Sequence, residues 1–167
     1  MSVPNGVEDA ARDYMARGWA VFPVKGKIPC TSNGVLDAST EERLAAIWFE
    51  RFPDRGVALA TGKPSGVWVV DLDGPDAVEL FKKLRAEAGD DSRAMTSITN
   101  RGYHLFYEMP NDGTDIRNSA GKIGPGIDVR GTGGYVVLPP SPHPDGPAYR
   151  WAKGRGPKDY PPESVEW

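Results

Sequence analysis

Asp71 and Asp73 stand two residues apart at the end of the apolar run Val67-Trp68-Val69-Val70, with Gly74-Pro75 directly behind them. A β-strand alternates its side chains with a period of two, so both carboxylates point to one face at the strand's end. Held that close they repel, and a hard divalent cation with oxygen ligands, Mg²⁺ or Mn²⁺, is the natural occupant between them. The same spacing also fits a helix cap at Asp73 beside a solvated Asp71, so the pair alone decides nothing. Two further polar residues stand where strands should be apolar. His104 shares a face with Phe106 and Glu108, and Asp128 shares one with Arg130 while Ile127 and Val129 point the other way. A lone strand histidine is more often a satisfied structural group, and an aspartate between Gly126 and Gly131 is equally a turn residue. Together, these carboxylates and the imidazole form a donor set for metal-assisted phosphoryl or nucleotidyl transfer. Gly102, Gly131, Gly133 and Gly134 suit close backbone approach to a phosphate or base, and suit plain hairpin turns equally.

The elements that must position these residues follow from periodicity. Ala10, Ala11, Tyr14 and Met15 predict a helix over 7–17, stopped by Gly18. Residues 19–24 read as a short strand that Pro23 confines to an edge or end, followed by a loop over 25–37. Ser39-Thr40-Glu41-Glu42 reads as a capping box that opens a helix ended by Pro53. Strands at 56–60 and 67–71 are apolar on both faces, as in a sheet covered on both sides. A helix is expected over 76–88, and a hairpin over 96–108 with Asn100-Arg101-Gly102 at its tip. A long polar loop over 109–126 precedes a strand pair at 127–130 and 135–138 around Gly131-Thr132-Gly133-Gly134. A last short strand is expected at 148–151. Helices and strands alternate first and strands then dominate, which favours α+β over a doubly wound sheet.

Composition sets bounds. The 167 residues, 39% hydrophobic and 26% charged, suit one domain or two tightly joined halves. No apolar stretch approaches the roughly 18–20 residues of a membrane span, and Met1-Ser2-Val3-Pro4-Asn5-Gly6 has no signal-peptide pattern. One cysteine, Cys30, excludes an internal disulfide and a multi-cysteine zinc site, which points to the cytoplasm. A net charge of −3 argues against coating nucleic acid non-specifically but not against a local basic groove. Arg117, Lys122, Arg130, Arg150, Lys153, Arg155 and Lys158 are candidates for such a groove, and equally for a solvated face.

The succession Gly34-Val35-Leu36-Asp37, Trp48-Phe49, Gly56-Val57-Ala58-Leu59-Ala60-Thr61-Gly62, Ser65-Gly66 and Val69-Val70-Asp71-Leu72-Asp73 resembles the N-terminal bifunctional primase/polymerase domain. That domain belongs to the archaeo-eukaryotic primase superfamily and occurs in plasmid and phage replication proteins. Arg101-Gly102-Tyr103-His104-Leu105-Phe106-Tyr107 is similar to its second motif, and Gly126-Ile127-Asp128-Val129-Arg130-Gly131 onward through Pro139-Pro140-Ser141 to its third. The likeness runs from about residue 10 to residue 141 with the motifs in order.

The resemblance implies an α+β catalytic core in which an N-terminal α/β unit packs with a unit like an RNA-recognition motif, the site lying between them. It implies that Asp71, Asp73 and Asp128 are catalytic and hold Mg²⁺ or Mn²⁺ in a two-metal site, and that His104 contacts the phosphates of the incoming nucleotide. Arg101, Gly102, Arg130 and Lys27 are further nucleotide-binding candidates, Lys27 being equally a solvated loop lysine. The implied activity is nucleotidyl transfer from dNTPs, with NTPs left open, to a primer on a DNA template. The alternative is a catalytically weak nucleotide- or nucleic-acid-binding accessory of replication. A rolling-circle endonuclease is disfavoured because it wants paired metal-binding histidines, and His104 and His143 lie far apart. Gly102 stands where the second motif often has serine, so a hydroxyl contact would fall to Ser97 or Thr99. Family members are commonly followed by a helical domain and a helicase. The end at Val165-Glu166-Trp167 reads accordingly as that of a core excised from a longer protein, poorly equipped to start primers unaided.

Overall fold

Strand β4 (Val67–Asp73) is the spine of the molecule, because it is apolar on both faces and therefore needs cover on both. The computed structural model describes residues 6–159 and the backbone of residues 163–164; the terminus at 165–167 lies outside the described residues. The elements in order are α1 (Gly6–Ala16), β1 (Val21–Lys25), β2 (Ile28–Pro29), α2 (Glu42–Arg51), β3 (Gly56–Ala60), β4, α3 (Pro75–Glu87), β5 (Met95–Ile98), β6 (Gly102–Glu108), β7 (Ser119–Gly124), β8 (Ile127–Arg130), β9 (Tyr135–Leu138), β10 (Arg150–Trp151) and β11 (Glu163–Ser164). They form a mixed α+β structure with two sheets. One is four-stranded in the order β2-β1-β3-β9, and the other seven-stranded in the order β10-β5-β6-β4-β8-β7 with β11 beside β6.

Each face of β4 meets a separate core. Trp68, Val70 and Leu72 join Leu105, Tyr107, Ile127 and Val129 beneath Ala77 and Phe81 of α3. On the other face Val67 and Val69, with Met95 and Phe106, pack against α1, α2 and the inner residues Val57, Leu59, Val136 and Leu138 of the four-stranded sheet. Its outer residues Phe22, Val24, Ala58 and Val137 form a third cluster with Tyr149. Fully burying an aliphatic or aromatic side chain stabilises by about 1.5–3 kcal/mol. The residues of β4 alternate between these two cores, which pins its register from both sides.

Several expectations need correction. The apolar runs at 56–60 and 67–71 belong to different sheets. So do the runs at 127–130 and 135–138: β8 pairs with β4 and β7, whereas β9 pairs with β3. Residues 131–134 are thus a crossing between sheets and not a hairpin turn. The polar stretch 109–126 contains β7, an exposed strand completed by pairing with β8. The stretch 25–37 contains β2 and a 3₁₀ turn at Gly34–Asp37. Ser39 does not form a capping box with Glu42. Its backbone is tied to Val21 in both directions at 3.0 Å and its hydroxyl accepts from the Glu41 amide at 3.0 Å, so α2 starts one residue beyond Glu41. Pro23 is at neither an edge nor an end: it is the middle residue of β1, between β2 and β3. It is tolerated because its polar backbone side faces Cys30, beyond the two-residue pairing with β2, where its carbonyl accepts from the Cys30 amide at 2.9 Å.

The two inter-sheet crossings, 61–66 and 131–134, are locked together. Buried Thr61 donates its hydroxyl to the Gly131 carbonyl at 2.7 Å, and its amide donates to the Gly134 carbonyl at 3.0 Å. The Gly131 amide donates to Asn118 Oδ1 at 2.9 Å, and a Cβ at Gly131 would collide with the Ile116 carbonyl. Gly131→Ala must push residues 116–118 away. An overpacking cost of about 1–3 kcal/mol predicts a fall in melting temperature of about 2–10 °C. Thermal unfolding of the variant beside Gly6→Ala checks this, since Gly6 has no positive φ and a Cβ there would meet only Pro140, at an ordinary 3.8 Å.

Candidate active site

Three neighbouring strands bring the polar residues together on one rung. Asp71 of β4 lies opposite His104 of β6 on one side and Asp128 of β8 on the other. Opposite residues of antiparallel strands share a face, so all three point the same way, and Asp73 follows two residues along. The face that is apolar at Val67 and Val69 becomes polar at Asp71, where the four-stranded sheet no longer covers it with a core. A cleft of about 490 Å³ opens there. The seven-stranded sheet contributes Asp71, Asp73, His104, Asp128 and Arg130; the opposing wall carries Lys27, Gly133, Gly134 and Tyr135.

Charge in the cleft is balanced internally. Arg130 Nη2 lies 3.3 Å from Asp128 Oδ2 and 3.5 Å from Asp71 Oδ2, bridging the two carboxylates. His104 Nε2 is 3.4 Å from Asp71 Oδ1, and Arg101 Nε is 3.3 Å from Asp73 Oδ1. Burial pushes the Asp71 carboxyl up. The His104 hydrogen bond and the charges of His104, Arg130 and Lys27 outweigh it and hold Asp71 below its ordinary 3.8. The repulsion expected between Asp71 and Asp73 is thus replaced by one between Asp71 and Asp128, which is compensated by the Arg130 guanidinium. Its seating is loose, since charge-assisted N–H···O bonds run about 2.7–2.9 Å. Asp73 and Arg101 are more than half exposed, and such a pair is worth about 0–1 kcal/mol.

The structure brings together Asp71, Asp128, His104, Arg130 and Lys27, and turns Asp73 toward Arg101 at the rim. Lys27 occupies the turn between β1 and β2, where its backbone carbonyl accepts from the Tyr135 hydroxyl at 2.8 Å. Gly102 faces Asp73 across the strand pair, and a Cβ there would strike the Leu72 carbonyl. The chain's own backbone thus requires this glycine. Thr99 Oγ1 accepts from the Gly102 amide at 3.0 Å, while buried Ser97 occupies the His104 rung on β5. Gly131 and Gly134 make room for Ile116 and Asn118, not for a ligand; Gly133 lies open with φ of 93°.

Residues 143–149 supply a wall with no motif in the sequence. The Tyr149 ring, 4% exposed, stacks on His104 with centroids 6.2 Å apart, and His143 lies against Tyr149 at 5.5 Å. Burial and the nearby Asp71 charge push the Tyr149 hydroxyl up to about 12, so it stays protonated. Asn118 also enters from the polar stretch, its side chain packed against Gly134. The only sequence hint of Tyr149 is an aromatic within the expected last strand.

The family model for the bifunctional DNA primase/polymerase, N-terminal (Prim-Pol) matches residues 11–164. The chain belongs to this family. Activity in Prim-Pol proteins is of the DNA primase/polymerase type, directed at DNA and nucleotides. No curated protein matches the chain. Among the described residues, no helix of this Prim-Pol domain is long and apolar enough to cross a membrane.

Donor chemistry in the Prim-Pol cleft is that of hard oxygens, Asp71 and Asp128 converging on one cation, which suits Mg²⁺ or Mn²⁺. With Asp73 turned to Arg101, no group of three or more acidic, histidine or cysteine side chains among the described residues is arranged to hold a metal. Arg130 fills the position between the paired acids. Replacing it by Arg130→Met in metal-free protein leaves two carboxylates facing each other on one rung. Because the Asp71 carboxyl titrates below its unfolded value, the stability it contributes is present above the ordinary carboxylate range. That contribution is lost as pH falls through the lower folded value. The expected destabilisation, about 1–3 kcal/mol at pH 7, therefore shrinks toward pH 3, which urea unfolding with chelator at both pH values measures.

Proposed function

We propose that this Prim-Pol domain is a metal-dependent nucleotidyltransferase that adds nucleotides from dNTPs to a primer 3′-hydroxyl on a DNA template. The observation that carries the reading is the single rung His104–Asp71–Asp128, with Arg130 between the acids, at the floor of a cleft in a chain of this family. The order β4–α3–β5–β6–β8, with α3 on one face, supports the likeness to RNA-recognition-motif sheets. No second crossover helix lies between β6 and β8 among the described residues. The cleft between this sheet and the four-stranded sheet supports placing catalysis there.

Asp71 and Asp128 are the pair that would hold Mg²⁺ or Mn²⁺, with Asp73 as the third ligand once parted from its weak, exposed partner Arg101. When bound, the metals supply polarisation of the α-phosphate and neutralisation of charge on the attacking and leaving oxygens. The chain's own side chains do the rest. Arg130, released from the acids it bridges, presents a planar fork to phosphate oxygens that lysine cannot copy. His104 orients Asp71 through Nε2 and places an imidazole beside the phosphates, its ring held by Tyr149. Lys27 and Arg101 add positive charge at opposite walls, and Gly133 leaves the backbone open for a sugar or base.

Primer extension on a primed template with dNTPs and Mn²⁺ or Mg²⁺ tests the reading. Asp71→Asn is expected to abolish incorporation while the protein stays folded by circular dichroism. Extension within a few-fold of wild type would leave a binding accessory as the better description. His104→Ala is expected to weaken dNTP binding about tenfold to a hundredfold, the loss of a charge-assisted hydrogen bond of about 1.5–3 kcal/mol. Nucleotide titration of the variant with catalytic metal present measures it, and an unchanged affinity assigns His104 to orienting Asp71 alone.

A further inference from the structure

A second cleft, of about 470 Å³, lies between α3, the tip joining β5 to β6, and β10. It shares Thr99, Asn100 and Arg101 with the first cleft, so the two meet at that tip. Tyr103 precedes His104 on β6, and alternation turns it to the opposite face, toward α3. On that face it lies between Ile98 of β5 and Leu72 of β4, so the strand ladder fixes its position. The residue is nevertheless 37% exposed, whereas most other aromatic residues among those described are buried.

The charge around it is mostly positive. The chain carries a net charge of −3, yet this cleft is lined by Lys82, Arg101 and Arg150 against a single acid, Glu79. Glu79 pairs with Lys82 at 3.4 Å, both more than two-thirds exposed, a contact that water and salt screen. A fixed, exposed aromatic ring flanked by spaced cations is what a single nucleic-acid strand needs: a face for one base and partners for successive phosphates. A small anion would call for converging cations, and these are spread over α3, the tip and β10. In a primed template, the unpaired nucleotides next to the nucleotide site are those of the template ahead of the primer end. A strand lying in the second cleft reaches the first around Arg101.

We propose that the second cleft holds the single-stranded template ahead of the primer terminus, one base stacked on Tyr103 and phosphates on Lys82 and Arg150. This rests on the reading of the first cleft as the site of nucleotidyl transfer. The test is fluorescence anisotropy of a labelled oligothymidylate strand with no dNTP present, alongside melting temperatures of each variant. Tyr103→Ala is expected to bind about tenfold more weakly, whereas Tyr103→Phe, which keeps the ring, binds like wild type. Reversing both cations, Lys82→Glu with Arg150→Glu, is expected to weaken binding and to flatten its salt dependence by about 0.7 per lost phosphate contact. Folded variants that bind like wild type, or a loss in Tyr103→Phe as large as in Tyr103→Ala, would overturn the proposal. That result leaves the catalytic reading standing if Asp71→Asn is still inactive in primer extension. The converse, strand binding lost as expected while Asp71→Asn still extends primers, overturns the catalytic reading and with it the template role, leaving only a strand-binding cleft.

Discussion

Asp71 and Asp128 face one another across a rung of the seven-stranded sheet, and like charges directly opposite destabilise a strand pair unless a cation lies between them. The surroundings of the rung are arranged around that constraint. Arg130, two residues along from Asp128 on the same face, bends back to both acids, and His104 takes the other side of Asp71. The site is thus poised: its acids are partly buried, the Asp71 carboxyl is held below its ordinary value, and the cation between them sits at distances longer than a tight ion pair. In the proposed reading, a divalent cation takes over the acids and frees the guanidinium for phosphate oxygens.

One strand face does two jobs. Val67 and Val69 of β4 are buried between the sheets, and Asp71 and Asp73 continue the same face into the cleft. β6 repeats the pattern, from buried Phe106 to His104 in the cleft, with Gly102 opposite Asp73. The apolar half supplies the energy that holds register, and the polar half uses it. A slip of one residue would send the acids into the core beneath α3 and the valines into the cleft, a double penalty that makes the register unambiguous.

Closure of the cleft comes from a different part of the chain. The crossings at 61–66 and 131–134 hold the sheets together through Thr61, and the segment after β9 returns to lay Tyr149 over His104. The Ser141 hydroxyl accepts from the Val57 amide at 2.8 Å and donates to the Val57 carbonyl at 3.1 Å, anchoring that return to β3. Parts distant in sequence thereby set the orientation of a single imidazole.

Local pattern made much of this legible. The two-residue period placed Asp71 with Asp73 on one face of β4 and Asp128 with Arg130 on one face of β8, and the helical spacings marked α1 and α3 to within a residue at most ends. These are properties of a few consecutive residues, so the sequence carries them by itself. Which strands neighbour which was decided by tertiary structure. Nothing in residues 127–138 says that β8 and β9 separate into different sheets, because each run is apolar enough for either, and the choice depends on the covers that α1, α2 and α3 provide. The pairing of Asp71 with both His104 and Asp128, the turning of Asp73 to Arg101, and the arrival of Asn118, Lys27 and Tyr149 at the cleft follow from that non-local choice. Residue types and strand periodicity therefore determined which groups could do chemistry, and the competition among long-range strand pairings and core packing, which no local window contains, decided which of them meet.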